Sequence, residues 1–167
     1  RKYAEEYGYK GAMFPWQSGS DGREETQTLH LNPVSGEWGP DHSSLQRHVS
    51  LAITYNIWQY YHVTDDKDFM RDYGCEIFFE ICRFWASKCV LDEKTGKYSV
   101  TKVMGPDEFH EKYPGSQEGG LTDNAYTNIM VAWTFDKALR LFEEFKVQIA
   151  KSKVSVKELE AWEEIEH

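Results

Sequence analysis

Two broad apolar stripes at helical spacing, separated by only a few residues, constrain this chain more than anything else in it. Between Arg47 and Val63, the residues Val49, Ile53, Ile57 and Tyr61 recur every four positions beside Ala52, Tyr55 and Trp58. From Phe69 the pattern resumes with Met70, Tyr73, Ile77, Phe78, Ile81, Phe84 and Trp85. Apolar residues three and four apart share one face of a helix, so both segments predict buried helices. Asp65 and Asp66 offer side-chain oxygens to cap the second. So short a link makes the pair run antiparallel, as a helical hairpin. A third helix is expected from about Thr122 or Asp123, carrying Ile129, Met130, Trp133, Leu139 and Phe142. A fourth is expected from Ser155, which has Glu158 at the offset of a capping box. The expected class is all-α, built of helical hairpins with long functional loops at one end.

The rest of the composition narrows the setting. Of 167 residues, 40% are apolar and nine Phe, ten Tyr and six Trp supply bulk for a core. Acidic side chains number 28 against 19 basic, for a net charge of −9. Such a balance repels phosphate backbones and anionic lipid, which excludes nucleic acid and membrane surfaces as partners. Nowhere do about 18 apolar residues run uninterrupted, and no secretory leader opens the chain. The start at Arg1 and the end inside a helical pattern at Ile165-Glu166-His167 predict a piece of a longer chain. Cys75, Cys82 and Cys89 fall seven apart in one helix-patterned stretch, about 10 Å along a helix axis, too far for a disulfide or a shared zinc ion. They read as reduced core thiols, which favours the cytoplasm.

Two polar, glycine-rich loops, 13–45 and 92–121, are several times longer than ordinary connections, which points to function. The second contains an extended stretch, Lys97 to Met104, and then Gly105-Pro106-Asp107-Glu108-Phe109-His110-Glu111. A carboxyl group beside apolar rings keeps its proton near neutrality, as general-acid catalysis requires, although an acidic turn can also be a solvated loop. Glu108, His110 and Glu111 are metal-ligand types without the spacing of a zinc helix. The first loop offers Phe14-Pro15-Trp16-Gln17-Ser18-Gly19 and then Glu24-Glu25-Thr26. An indole face against the C–H face of a sugar, with directed polar groups on its hydroxyls, is how sugars are held. The alternative for Trp16 is a core anchor, and for His48 a capped, hydrogen-bonded histidine at a helix start.

Five blocks carry a family resemblance, in order over about residues 8 to 145. They are the run from Gly8 to Ser18, the helix from His48 to Ile57-Trp58-Gln59-Tyr60-Tyr61, Arg83-Phe84-Trp85-Ala86-Ser87, Val103-Met104-Gly105-Pro106-Asp107-Glu108-Phe109-His110, and Asp123-Asn124-Ala125-Tyr126-Thr127-Asn128. Together they resemble glycoside hydrolase family 65, which contains maltose, trehalose and kojibiose phosphorylases and some hydrolases.

The resemblance implies an (α/α)6 barrel, of which residues 1–167 would form a fragment, about a third of a single catalytic domain. It implies Glu108 as the general acid, Trp16 as a wall of the sugar subsites, and Gln17, His48, Asp107 and Asn124 as further substrate-binding residues. Gln17 stands where relatives often have glutamate, and Thr28 to Gln46 is longer than in typical phosphorylases, where this region shapes the acceptor pocket. The implied reaction is inverting cleavage of an α-linked glucose disaccharide. Inorganic phosphate as co-substrate would give β-glucose 1-phosphate and glucose; the alternative is water activated by a downstream carboxylate. No cofactor and no metal are implied, and the phosphate-holding residues would lie downstream. A non-catalytic carbohydrate-binding module is the remaining alternative. The parent protein is expected to be a homo-oligomer, cytoplasmic unless periplasmic or secreted, and the isolated segment to expose apolar patches, associate and lack turnover.

Overall fold

The stripe expected from Phe69 to Trp85 folds as one rod in three parts: α3 (Lys67–Phe69), a π-helical turn (Met70–Gly74) and α4 (Cys75–Lys88). The computed structural model describes residues 1–107, 110–146 and 153–167. Of the two aspartates expected to cap this rod, only Asp66 does so, its Oδ1 accepting from the Phe69 N–H at 2.9 Å. Asp65 instead ends α2 (Val49–Thr64) in the left-handed conformation, at φ 52°. In the π-helical turn Met70 is fully buried, and a Cβ on Gly74 would stand 2.5 Å from its sulfur. Met70 fills the space that a larger residue at 74 would need.

α2 packs on α4; α5 (Ala125–Phe145) packs on both, and α6 (Val156–Glu166) covers α4 and α5. Phe78, Phe79, Phe84, Trp85, Phe135 and Trp162 are buried completely or nearly so, with Trp162 of α6 stacked on Phe79 at 5.8 Å and Phe135 at 6.3 Å. Each such ring contributes roughly 1.5–3 kcal/mol of hydrophobic stabilisation. Inside the core, the Thr54 and Thr134 hydroxyls of α2 and α5 lie 3.1 Å apart, and Thr54 also donates to the Leu51 carbonyl at 2.8 Å. The capping box is formed: the Glu158 N–H donates to Ser155 Oγ at 3.3 Å and the Ser155 N–H to Glu158 Oε2 at 2.8 Å. Arg83 of α4 donates to Glu158 at 2.6 Å, joining the start of α6 to the core helix.

Several boundaries differ from the sequence expectation. α5 starts at Ala125 with Asn124 as its N-cap, Oδ1 accepting from the Thr127 N–H at 3.1 Å. Asp123 is left-handed and turns its carboxylate to the Val100 N–H at 2.9 Å. α4 stops at Lys88, so Cys89 opens a strand and only Cys75 and Cys82 lie in the helix. Burial pushes the Cys75 and Cys89 thiols up to about 12 and the Cys82 thiol well above its ordinary value. Lys88, 4% exposed, directs its Nζ to the Tyr9 hydroxyl at 3.2 Å, 5.0 Å from the ring centroid. Burial, and secondarily the charge of Arg47, lowers its pKa to about 8.

The long loops are partly built. After the short α1 (Lys2–Glu6), β1 (Leu29–Leu31) pairs antiparallel with β2 (Trp38–Pro40), a hairpin the sequence does not announce. The extended stretch from Lys97 provides β4 (Lys97–Val100), paired antiparallel with β3 (Cys89–Asp92). No described helix is long and apolar enough to cross a membrane.

The first loop is seated on α4 through Gly11. Its φ is +68°, a Cβ there would lie 2.1 Å from the Glu80 carbonyl oxygen, and the adjacent Ala12 N–H donates to that oxygen at 2.8 Å. Gly11→Ala is therefore expected to destabilise the protein by about 3 kcal/mol or more. Gly19→Ala, with nothing within 4 Å of the new Cβ, should change stability by less than about 0.5 kcal/mol. Chemical denaturation of the two variants measures both.

Candidate active site

The N-termini of α2 and α5 meet at one end of the helices, where the His48 and Tyr126 rings lie 6.0 Å apart, edge to face. The first loop crosses this end. The Phe14 N–H donates to Ser50 Oγ of α2 at 3.1 Å, and the Trp16 ring then lies 5.5 Å from the His48 ring at an interplanar angle of 52°. Beyond the indole the loop is drawn back by Glu24. One carboxylate oxygen, Oε2, accepts from the Trp16 N–H at 2.8 Å and the Tyr3 hydroxyl at 2.9 Å. The other, Oε1, accepts from the Gln17 and Thr26 N–H groups, each at 3.1 Å, and from the Thr26 hydroxyl. Burial alone would raise the Glu24 pKa, but these hydrogen bonds outweigh it and hold the carboxyl below its usual range. The Tyr3 hydroxyl accepts in turn from Arg47 at 2.6 Å.

The opposite wall comes from the second loop. The Met104 N–H donates to the Leu45 carbonyl at 2.9 Å and the Leu121 N–H to the Val103 carbonyl at 2.7 Å. The Gly105 N–H donates to the His110 carbonyl at 3.0 Å, drawing residue 110 back onto residue 105. Only glycine fits there: a Cβ on residue 105 would lie 2.7 Å from the His110 side chain and 3.0 Å from Asn124 Nδ2.

Between the walls is a cleft of about 470 Å³ lined by Trp16, His30, Ser43, Gln46, Met104, Pro106, Asp107 and Glu111. That volume suits a small ligand, and the lining mixes an aromatic face with carboxylates, an amide and a hydroxyl. His30 reaches the cleft because alternation along β1 turns it away from exposed Leu29 and Leu31. Its Nδ1 stands 3.6 Å from Asp41 Oδ2. Burial would raise the Asp41 pKa, but bonds from Ser43 and Gln27 and the charge of His30 lower it.

Trp16 and Asp107 thus share the cleft. His48 does not line it; it is buried behind Trp16 as a support for the indole. Nor is it a capping histidine. Its side chain makes no cap bond, and Nδ1 has no hydrogen-bond partner among the described residues. Asn124 spends its oxygen on capping α5 and sets its amide nitrogen beside Gly105. Gln17 is exposed and held through its backbone. Glu108 and its neighbour Phe109 lie outside the described residues. Sequence reasoning missed His30, Ser43 and Gln46; the single hint was His30 between two leucines, the alternation of a half-buried strand.

Burial lowers the His48 pKa. An imidazole depressed in this way binds fewer protons folded than unfolded, so its share of stability is present above about pH 6.5 and is lost as pH falls below it. A histidine-resolved NMR titration is expected to place the His48 midpoint below 6.5. His48→Phe should flatten the decline in stability between about pH 6.5 and 5.

Comparison with known proteins agrees with this architecture. Residues 1–167 match the model of the glycosyl hydrolase family 65 central catalytic domain. The trehalose 6-phosphate phosphorylase of Lactococcus lactis subsp. lactis is 52% identical over 82% of this chain and 18% of its own length. An uncharacterized glycosyl hydrolase of Mycobacterium tuberculosis is 44% identical over 99% of this chain and 13% of its own. The kojibiose hydrolase of Flavobacterium johnsoniae is 38% identical over 77% and 16%. A solved structure described as a kojibiose phosphorylase from the human microbiome superposes with a TM-score of 0.77 at 25% identity, covering 99% of this chain and 22% of that one. The chain therefore spans less than a quarter of the length of each of these relatives. With the family model matched over residues 1–167, the chain belongs to glycosyl hydrolase family 65, and its helical hairpins are part of that family's (α/α)6 barrel.

Proposed function

We propose that the protein to which this chain contributes cleaves an α-glucosidic disaccharide by inverting phosphorolysis, releasing β-glucose 1-phosphate and a second sugar. The observation that carries the reading is the shared cleft, with the indole of Trp16 on one side and the Gly-Pro-Asp-Glu segment on the other through Pro106 and Asp107. In this reading Glu108, next in sequence to Asp107, donates its proton to the glycosidic oxygen as the bond from the anomeric carbon breaks. A phosphate oxygen bonds to that carbon from the opposite face, and the leaving sugar departs with the proton. Trp16 lies against the C–H face of a glucosyl ring, His48 backs it, and Gln17, Asp107 and Asn124 border the subsites. Residues 1–167 supply about a third of one barrel domain, and the phosphate-holding groups belong to the rest of the protein. The phosphorylases among the relatives support phosphate as co-substrate.

The kojibiose hydrolase supports a second reading, the same acid with water in place of phosphate. Incubating the full-length protein with kojibiose, trehalose, trehalose 6-phosphate, maltose and nigerose, with and without phosphate, separates the two. Glucose 1-phosphate formed only with phosphate is the expected outcome; glucose release indifferent to phosphate overturns phosphorolysis. Glu108→Gln should lower kcat by about 10²–10⁴-fold, the range for general acid–base groups. Unchanged turnover in that variant would remove both enzymatic readings. Trp16→Ala should raise KM for the disaccharide.

A further inference from the structure

Glu24 sits beside the cleft, yet it is used unlike a sugar ligand. Both of its oxygens are occupied by donors of its own chain: the N–H groups of Trp16, Gln17 and Thr26 and the hydroxyls of Thr26 and Tyr3. A carboxylate saturated in this way has no lone pair left for a ligand hydroxyl. No Lys or Arg nitrogen lies within 4.0 Å of it among the described residues. Arg47 acts through an intermediate instead: its guanidinium donates to the Tyr3 hydroxyl at 2.6 Å and lies 5.4 Å and 4.7 Å from the Tyr3 and Tyr7 ring centroids. Arg47 is 2% exposed and immediately precedes His48, so the relay begins on fixed structure at the head of α2.

We propose that Glu24 is a positioning residue for Trp16, fixing the backbone at residues 16 and 17 so that the indole stands as a rigid wall of the cleft, with Arg47 and Tyr3 holding the carboxylate in place. The functional half of this statement rests on the reading of Trp16 as a sugar wall; the clamp itself rests on geometry alone. The bent loop between Trp16 and the β1–β2 hairpin is closed by one antiparallel backbone bridge, Ser18 to Glu24, with the Glu25 N–H donating to the Gln17 carbonyl at 2.8 Å. One carboxylate that gathers three backbone amides reinforces that bridge, because bonds to an ionised acceptor are the stronger kind. An amide cannot take its place. Glutamine offers one acceptor oxygen, and its NH₂ would meet N–H donors head on.

The test uses the full-length protein with Glu24→Gln and Tyr3→Phe, and Glu37→Gln on the exposed hairpin as control. Hydrogen exchange of the Trp16 and Gln17 amides should accelerate at least about tenfold in Glu24→Gln, and by less in Tyr3→Phe, which removes one of the five donors to the carboxylate and with it the link to Arg47. KM for the disaccharide should rise with little change in kcat. Glu24→Gln should add nothing to Trp16→Ala, the non-additivity of residues acting through one another. Unchanged exchange at 16 and 17 overturns the clamp. Accelerated exchange with a KM effect that adds in full to that of Trp16→Ala also overturns it, because Glu24 would then act on the sugar directly. Accelerated exchange together with a Trp16→Ala variant of unaltered KM upholds the clamp and overturns the sugar-wall reading instead.

Discussion

Eight of the fourteen residues of α4 are buried, among them Cys75, Phe78, Phe79, Ile81, Cys82, Phe84 and Trp85. A helix with so much of its circumference apolar cannot exist with one neighbour; it needs helices on several sides. α2, α5 and α6 take those places, and their arrangement decides which ends of which helices meet. Because α2 and α5 both start at the same end, their first turns and the loops that precede them converge, and the cleft forms above the core rather than along its flank.

The loops at that end hold their shape by local polar bonds more than by burial. Glu24 gathers one loop and the Gly105–His110 pairing closes the other. Two buried cations stand close beneath them, Arg47 over tyrosine rings and Lys88 over Tyr9. In each case the charge is met by a ring face and a hydroxyl, with no carboxylate within 4.0 Å among the described residues. Such pairing desolvates a cation at smaller cost than bare burial while leaving the acidic side chains of the cleft unengaged.

The helices were legible from sequence because a stripe of a dozen or more residues carries its period openly, and the capping box of α6 was legible because both partners lie in one turn. What escaped was short or shared. β1 and β2 are three residues each, too brief to display alternation, and their pairing is a property of two segments at once. The π-helical turn leaves no mark in the period of the apolar stripe, and the close packing of Met70 on Gly74 within it is a matter of volume. At the site, Trp16 could be singled out by chemistry, and Asp107 by its motif. The work of Glu24 could not be, since a carboxylate near hydroxyls reads the same whether it faces a ligand or its own backbone. Cys89 shows the converse error, in which a regular spacing of cysteines ran one residue past the end of the helix.

The Thr54–Thr134 pair gives the fold an index mark. Apolar surfaces of α2 and α5 are tolerant of sliding, since one aliphatic contact exchanges for another at little cost. Two buried hydroxyls are not: displaced by one turn, about 5.4 Å along the axis, Thr54 and Thr134 would lose each other as hydrogen-bond partners. One pairing of oxygens thereby favours a single axial setting for two helices at whose starts His48 and Tyr126 meet edge to face, with His48 behind the indole. The depth at which that wall of the cleft sits thus depends in part on two small polar atoms inside the core.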